Sequence, residues 1–189
     1  METTVNLLEK QISNRLHGVN HFESIYINPV LGEMLDSFDI PKEAKLACLT
    51  IDTAMRHLDA VESTLTSKQS ILIGDLLSAH FYTILAQLND PIFQKEISTA
   101  IVKINEIKSS IHNDEIPKAQ MGHKILLAEN TFPFITLKRY APNFNKQALN
   151  RLLLEHIQQK RPAYLNKYSN EDMQLFISNI KTEIDDKWG

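Results

Sequence analysis

The chain of 189 residues contains one cysteine, Cys48, so it cannot form a disulfide within itself. Cys48 falls in an apolar stripe and reads as a buried thiol in a reducing compartment. Glycine (five) and proline (seven) are few. No segment is low in complexity and no repeat recurs at a fixed period, which excludes solenoids and argues against disordered tails. Valine is scarce, no Asn-Gly or Asp-Gly pair occurs, and convincing period-two alternation is missing, so nothing speaks for strands or hairpins. The formal charge is −3 and there is no dense Lys/Arg block, which argues against nucleic acid as the main partner. The NKQALNR and QQKR runs read as solvated helix faces. The opening METTVNLLEKQ carries an early acid and no long apolar core, unlike a secretory signal. No apolar run of about 18 residues is found, the greasiest segment being interrupted by Asp75 and His80. The expectation is a soluble cytoplasmic protein with at most peripheral membrane contact.

What the chain does have is period-3.6 patterning throughout, with 43% hydrophobic and 23% charged residues. This predicts an all-α fold, a single-domain helical bundle of seven or eight helices over residues 1–189. Val5, Leu8, Ile12 and Leu16 share one face of a first helix. Asn28-Pro29 and Asp39-Ile40-Pro41 each open a helix, since proline in a first turn gives up an N–H that has no partner there anyway. The second of these helices carries the stripe Ala44, Ala47, Cys48, Ile51, Ala54, Met55 and Leu58. A turn at Ser63 to Ser67 leads into a helix that is apolar on nearly every side and stops at Asn89-Asp90-Pro91. Such a helix belongs in the core of a bundle or at an interface, because a soluble monomer would otherwise expose too wide an apolar band. The next helix has Ile92, Phe93, Ile97, Ala100, Ile101, Ile104, Lys108 and Ile111 on one side, and the short link predicts that these two helices are antiparallel neighbours. Farther on, Pro133 kinks or restarts a helix beginning near Lys118, and a last helix starts near Asn170.

Candidate chemistry gathers at His57, Asp59 and Glu62. Carboxylates three apart project from one helix face and suit a hard cation such as Mg²⁺, although acid pairs at this spacing are also ordinary on solvated faces. Asp75 follows Gly74 inside the greasiest helix. A mid-helix glycine costs about 1 kcal/mol against alanine, which implies close approach by a backbone or a bulky neighbour. The carboxylate after it reads as a hydrogen-bonded structural group or as a ligand. His17 and His21 have the spacing of a metal pair but no third ligand, and His80, His112, His123 and His156 are isolated. No phosphate loop, CxxC, nucleophile elbow or HExxH is present.

Taken together, AMRHLDAVESTLTSKQSILIGDLLSAHFYTILAQLND resembles a segment of the trans-polyprenyl diphosphate synthases. There a helix ends in His-Asp-Asp-x-x-Asp, an arginine-rich turn follows, and the next helix opens with Leu-Ala-Gly-Asp. His57 matches the histidine and Asp59 the second aspartate, Leu58 stands in place of the first aspartate, and Glu62 replaces the last. Ile73-Gly74-Asp75 matches the glycine-aspartate helix. The basic turn is missing, since Ser63 to Ser70 offers only Lys68, and a second aspartate-rich motif is absent, Asp185-Asp186 lacking its surroundings. With the AIVKINEIK run, the chain resembles the small subunit, component I, of bacterial two-component heptaprenyl or hexaprenyl diphosphate synthases, clearly over Lys42 to His112 and loosely over most of the rest.

The resemblance implies a truncated isoprenoid-synthase fold without catalytic residues or cofactor of its own. A large subunit, component II, would hold Mg²⁺ and both diphosphates and make the prenyl tail of menaquinone. The implied partner interface or tunnel wall consists of Ile71, Leu72, Leu76, Phe81, Ile84, Leu88, Ile97, Ile101 and Ile104. Two rival readings stand beside it, a helical Mg²⁺-dependent terpenoid enzyme or phosphohydrolase acting alone, and a helical adaptor unrelated to prenyl transfer.

Overall fold

Short polar side chains set where the helices begin, by accepting from amides that the first turn leaves unpaired. Thr3 accepts from the Asn6 amide at the start of α1 (Thr4–Arg15), and Asn28 from Leu31 at the start of α2 (Pro29–Asp36). After α3 (Lys42–Glu62) and α4 (Lys68–Leu88), Asp90 accepts from Phe93 and opens α5 (Pro91–His112). Then come α6 (Lys118–Tyr140), α7 (Lys146–Gln159) capped by Asn145, a 3-10 turn at Ala163–Leu165, and α8 (Asn170–Asp186). This computed structural model describes residues 2–17, 24–62 and 68–186, and no strand occurs among them. The Ser63 to Ser67 turn, His21 and Trp188 lie outside the described residues.

The helix buried on every side is α3. Each residue from Leu46 to Met55 is buried, polar Thr50, Asp52 and Thr53 included. Around it pack α4, α1, α2 and α6, and α6 in turn carries α5, α7 and α8. The all-round apolar appearance of α4 therefore does not make it the centre of the fold. One face of α4, with Ile73, Leu77, Phe81, Ile84 and Leu85, enters the core, while Ile71, Leu72 and Tyr82 are exposed. Its stretch Ile71–Leu88 is long and apolar enough to span a membrane by length and composition. Burial of Leu77 and Phe81 marks it as a packed helix of the bundle. Phe81, wholly buried, contributes about 1.5–3 kcal/mol through its removal from water.

The expected side-by-side packing of α4 and α5 is not what the link produces. Asn89 takes a left-handed conformation (φ 52°), and Asp90 binds Arg139 and Tyr140 at the end of α6. These contacts draw the start of α5 onto α6, so that α4 packs chiefly on α3 and α5 chiefly on α6. Nor does Pro133 restart a helix, since α6 runs unbroken from Lys118 to Tyr140 with Pro133 inside it. The buried residues of all these elements form one contiguous cluster.

Candidate functional site

Leu58 and Asp59, at the C-terminal end of α3, have different surroundings. Leu58 packs on α4 at Gly74, where a Cβ would stand 2.3 Å from Leu58 Cδ2. The glycine thus lets the two helices approach with a leucine between them. Asp59 accepts from Lys108 of α5 at 2.5 Å, an ion pair with little exposure on either side. Burial raises the pKa of Asp59 and Lys108 opposes that rise, the net direction being upward.

The Lys108 ammonium also lies 5.0 Å from the Tyr164 ring centroid, and Tyr164 donates to Glu129 of α6 at 2.9 Å. Glu129 accepts from Arg56 at 2.6 Å, and Arg56 donates to Asp52, one turn earlier on α3, at 2.8 Å. Burial pushes Glu129 up, but Arg56 and Lys108 outweigh it and hold the carboxyl below its usual value. Tyr164 is pushed well above the usual phenol value by burial and by Glu129. The network brings α3, α5, α6 and the 3-10 turn together with charge-assisted hydrogen bonds. Its acids and bases are engaged with one another, which suits holding a bundle end closed rather than moving protons.

At this end of α3 the described side chains of Leu58 and Asp59 offer no pair of free carboxylates for a Mg²⁺ ion. Leu58 has no ligand oxygen, and the Asp59 carboxylate is engaged by a cation. Among the described residues no group of three His, Cys, Asp or Glu side chains is placed to hold a metal ion. The side chain of Glu62 lies outside the described residues. His57 is buried with a partner of its own, and Asp75 is exposed on the outer face of α4 between Leu72 and Tyr82. Its carboxylate thus meets water, and the structural hydrogen bond that burial would have required is not needed. His156 is bonded to the Tyr26 hydroxyl and His80 to Gln11, each at 2.8 Å.

Of the residues expected at a partner surface, Ile71 and Leu72 are exposed, while Leu76, Leu88 and Ile101 are partly buried. Phe81, Ile84, Ile97 and Ile104 lie in the chain's own core. Helical periodicity groups all of these as apolar but does not tell which side of a helix another helix already covers. Tyr82 on α4 with Ile92 and Val102 on α5 are exposed apolar residues that the sequence reading left out of the surface. Lys108 carried a signal, a lysine on the apolar stripe of α5. Arg56 and Asp52 carried another, their spacing of one turn within α3. Glu129 and Tyr164 gave none.

These features define an all-α bundle with a buried ion network at the C-terminal end of α3. The family model for the hexaprenyl diphosphate synthase small subunit matches residues 2–135. The chain is also similar to the crystal structure of heptaprenyl diphosphate synthase from Staphylococcus aureus, at 45% identity and a TM-score of 0.85 over 99% of this chain and 100% of that one. The chain belongs to the hexaprenyl diphosphate synthase small-subunit family.

Proposed function

We propose that this chain is the non-catalytic small subunit of a heterodimeric polyprenyl diphosphate synthase, heptaprenyl or hexaprenyl, in the cytoplasm. The observation that carries the reading is the Asp59–Lys108 ion pair beside Leu58, which leaves the degenerate motif without a free pair of carboxylates. In the assembled enzyme the large subunit binds Mg²⁺, farnesyl diphosphate and isopentenyl diphosphate, and the small subunit is needed for activity and for product length. The product is the prenyl side chain of menaquinone.

Assembly runs through the outer face of α4, where Ile71, Leu72 and Tyr82 are exposed, and separately engages α5 at Val102, which is 59% exposed. Large uncovered apolar side chains are typical of surfaces that an obligate partner covers. Leu76 on α4 and Ile101 on α5 are partly buried and belong to these two surfaces, and Phe81, Ile84, Ile97 and Ile104 support them from within. Co-purification with the large subunit tests this surface. Leu72→Glu abolishes association while leaving the helical circular dichroism of this chain intact; undiminished association of Leu72→Glu and Val102→Glu would overturn the assignment.

A further inference from the structure

Ile92, Lys95, Thr99 and Lys103 recur every three or four residues and so share one side of α5, as Thr131, Phe134, Ile135 and Lys138 do on α6. Between these two rows runs an open groove of about 780 Å³. Its floor is hydrocarbon, from Ala100, Phe134 and Ile135, and Ile92 stands near the start of α5, 57% exposed. Lys95, Lys103 and Lys138 line it too, all exposed and none paired with an acid among the described residues. The Lys146 ammonium, 4.8 Å from the centroid of the Phe134 ring, adds a fourth positive charge beside it. Among the described residues that line the groove Glu96 is the one acid. A surplus of positive charge thus gathers here, on a chain whose formal charge is −3.

The groove offers charge and hydrocarbon rather than directed neutral hydrogen bonds. Thr99 donates to the Lys95 carbonyl at 2.8 Å and Thr131 to the Leu127 carbonyl at 2.5 Å, so both hydroxyls are turned onto their own helices. Arg139, next to Lys138 in the chain, is held by Asp90, which leaves lysines as the free cations. An ammonium on a flexible stem takes an anion from any direction, whereas recognition of one fixed phosphate or carboxylate favours the planar fork of arginine. Nucleic acid bases need open aromatic faces, and Phe134, the one aromatic residue of the groove, is half-buried with Lys146 over its ring. Lysines around an uncovered aliphatic side chain fit an anionic lipid surface, where phosphates are many and interchangeable and hydrocarbon lies just beneath them.

We propose that the groove between α5 and α6 docks this chain on the surface of an anionic lipid bilayer, with Lys95, Lys103, Lys138 and Lys146 toward the phosphates and Ile92 inserted among the head groups. Each lysine acts through the negative potential of the leaflet, which fades within a Debye length, about 8 Å at physiological salt. Glu96 opposes them. Docking is reversible, because one isoleucine and four lysines fall far short of a membrane-spanning helix. No described residue of α4 lines the groove.

Co-sedimentation of the full chain with vesicles of equal parts phosphatidylglycerol and phosphatidylcholine, and with vesicles of phosphatidylcholine alone, tests the assignment. Binding to the first and much weaker binding to the second are expected, and raising salt to about 0.5 M releases the chain. Lys103→Gln weakens binding about fivefold and Glu96→Gln strengthens it by a similar factor. Ile92→Ser weakens it about tenfold, while Lys181→Gln, at an exposed lysine of α8, leaves it unchanged. All four positions are exposed, so each variant keeps the wild-type circular dichroism spectrum. Absence of binding, equal binding to the two kinds of vesicle, or binding that salt does not weaken overturns the proposal. So does an equal loss in Lys181→Gln, or binding indifferent to Lys103→Gln or to Ile92→Ser, the last marking a face for soluble polyanions such as an acidic protein.

Discussion

Leu58 fills the space that a side chain at position 74 would need, its Cδ2 and Cγ standing 2.3 and 2.8 Å from a Cβ placed on Gly74. Leu58 is therefore a packing residue between α3 and α4. Replacing Gly74 by alanine improves helix propensity by about 1 kcal/mol, while forcing a methyl group against Leu58 costs about 1–3 kcal/mol. Gly74→Ala should thus destabilise the chain by about 1 kcal/mol in urea unfolding, and in a Leu58→Ala background the same substitution should stabilise it. Stabilisation by Gly74→Ala alone would show that the two helices do not meet as described.

The Arg56 guanidinium bridges Asp52 and Glu129, and both carboxylates are buried. Arg56→Ala removes the cation that bridges them and is expected to cost about 3–5 kcal/mol in denaturant unfolding. Glu129→Gln keeps the shape, retains an acceptor for Tyr164 and leaves Arg56 paired with Asp52, so its cost is the smaller of the two. Equal losses in the two variants would contradict the bridging role of Arg56.

Asp90 joins the start of α5 to the end of α6. Arg139, with the Phe93 amide and the Tyr140 hydroxyl, holds its carboxyl down from the usual 3.8 to about 2 against the effect of burial. A lowered carboxyl pKa favours the folded state above the unfolded value, and that contribution is lost as pH falls from about 3.8 to about 2. Asp90→Ala should cost about 1 kcal/mol at neutral pH through loss of the helix cap. The difference between wild type and variant in thermal unfolding midpoint should survive to pH 4 and shrink below it.

His80 behaves in the opposite direction. Burial, with Arg15 nearby, pushes its pKa from 6.5 to about 4, and its ring is bonded to Gln11. The folded state thus keeps the ring neutral where the unfolded chain takes up a proton. Its contribution is complete above about pH 6.5 and is lost progressively as pH falls toward 4. Relative to His80→Gln, wild-type stability should decline over that window, and parallel pH profiles would rule this out.

The order of the helices was legible because the apolar stripes repeat with the helical period and because Asn28-Pro29 marks a helix start within a few residues of itself. Gly74 could be read as a site of close approach because glycine in a helix needs a reason. What depends on the third dimension was not legible. The stripes of α4 and α5 mix Phe81 and Ile97, wholly buried, with Leu72 and Ile92, more than half exposed, since periodicity gives a face and not its neighbour. The Glu129–Tyr164 bond links residues 35 apart and leaves no local trace. The packing of α5 on α6 rests on Asp90 meeting Arg139, 49 residues away, which overrode the antiparallel pairing that a short link suggests. In α6 the helix passes through Pro133, and burial of Phe132, Thr136 and Leu137 holds both halves in the core.

If the Asp59 carboxylate serves the fold through Lys108, Asp59→Asn should lower the unfolding midpoint of the isolated chain and leave kcat of the assembled enzyme unchanged. A fall in kcat with an unchanged affinity between subunits would instead place Asp59 among the groups that touch substrate or metal.

The most direct measurement is prenyl transfer from farnesyl diphosphate and labelled isopentenyl diphosphate with Mg²⁺, assayed for this chain alone, for the large subunit alone and for the two mixed. Product should form only in the mixture, with a length of six or seven isoprene units. Turnover by this chain alone would contradict the account, because it would require a metal site where Leu58 packs on Gly74 and Lys108 holds Asp59.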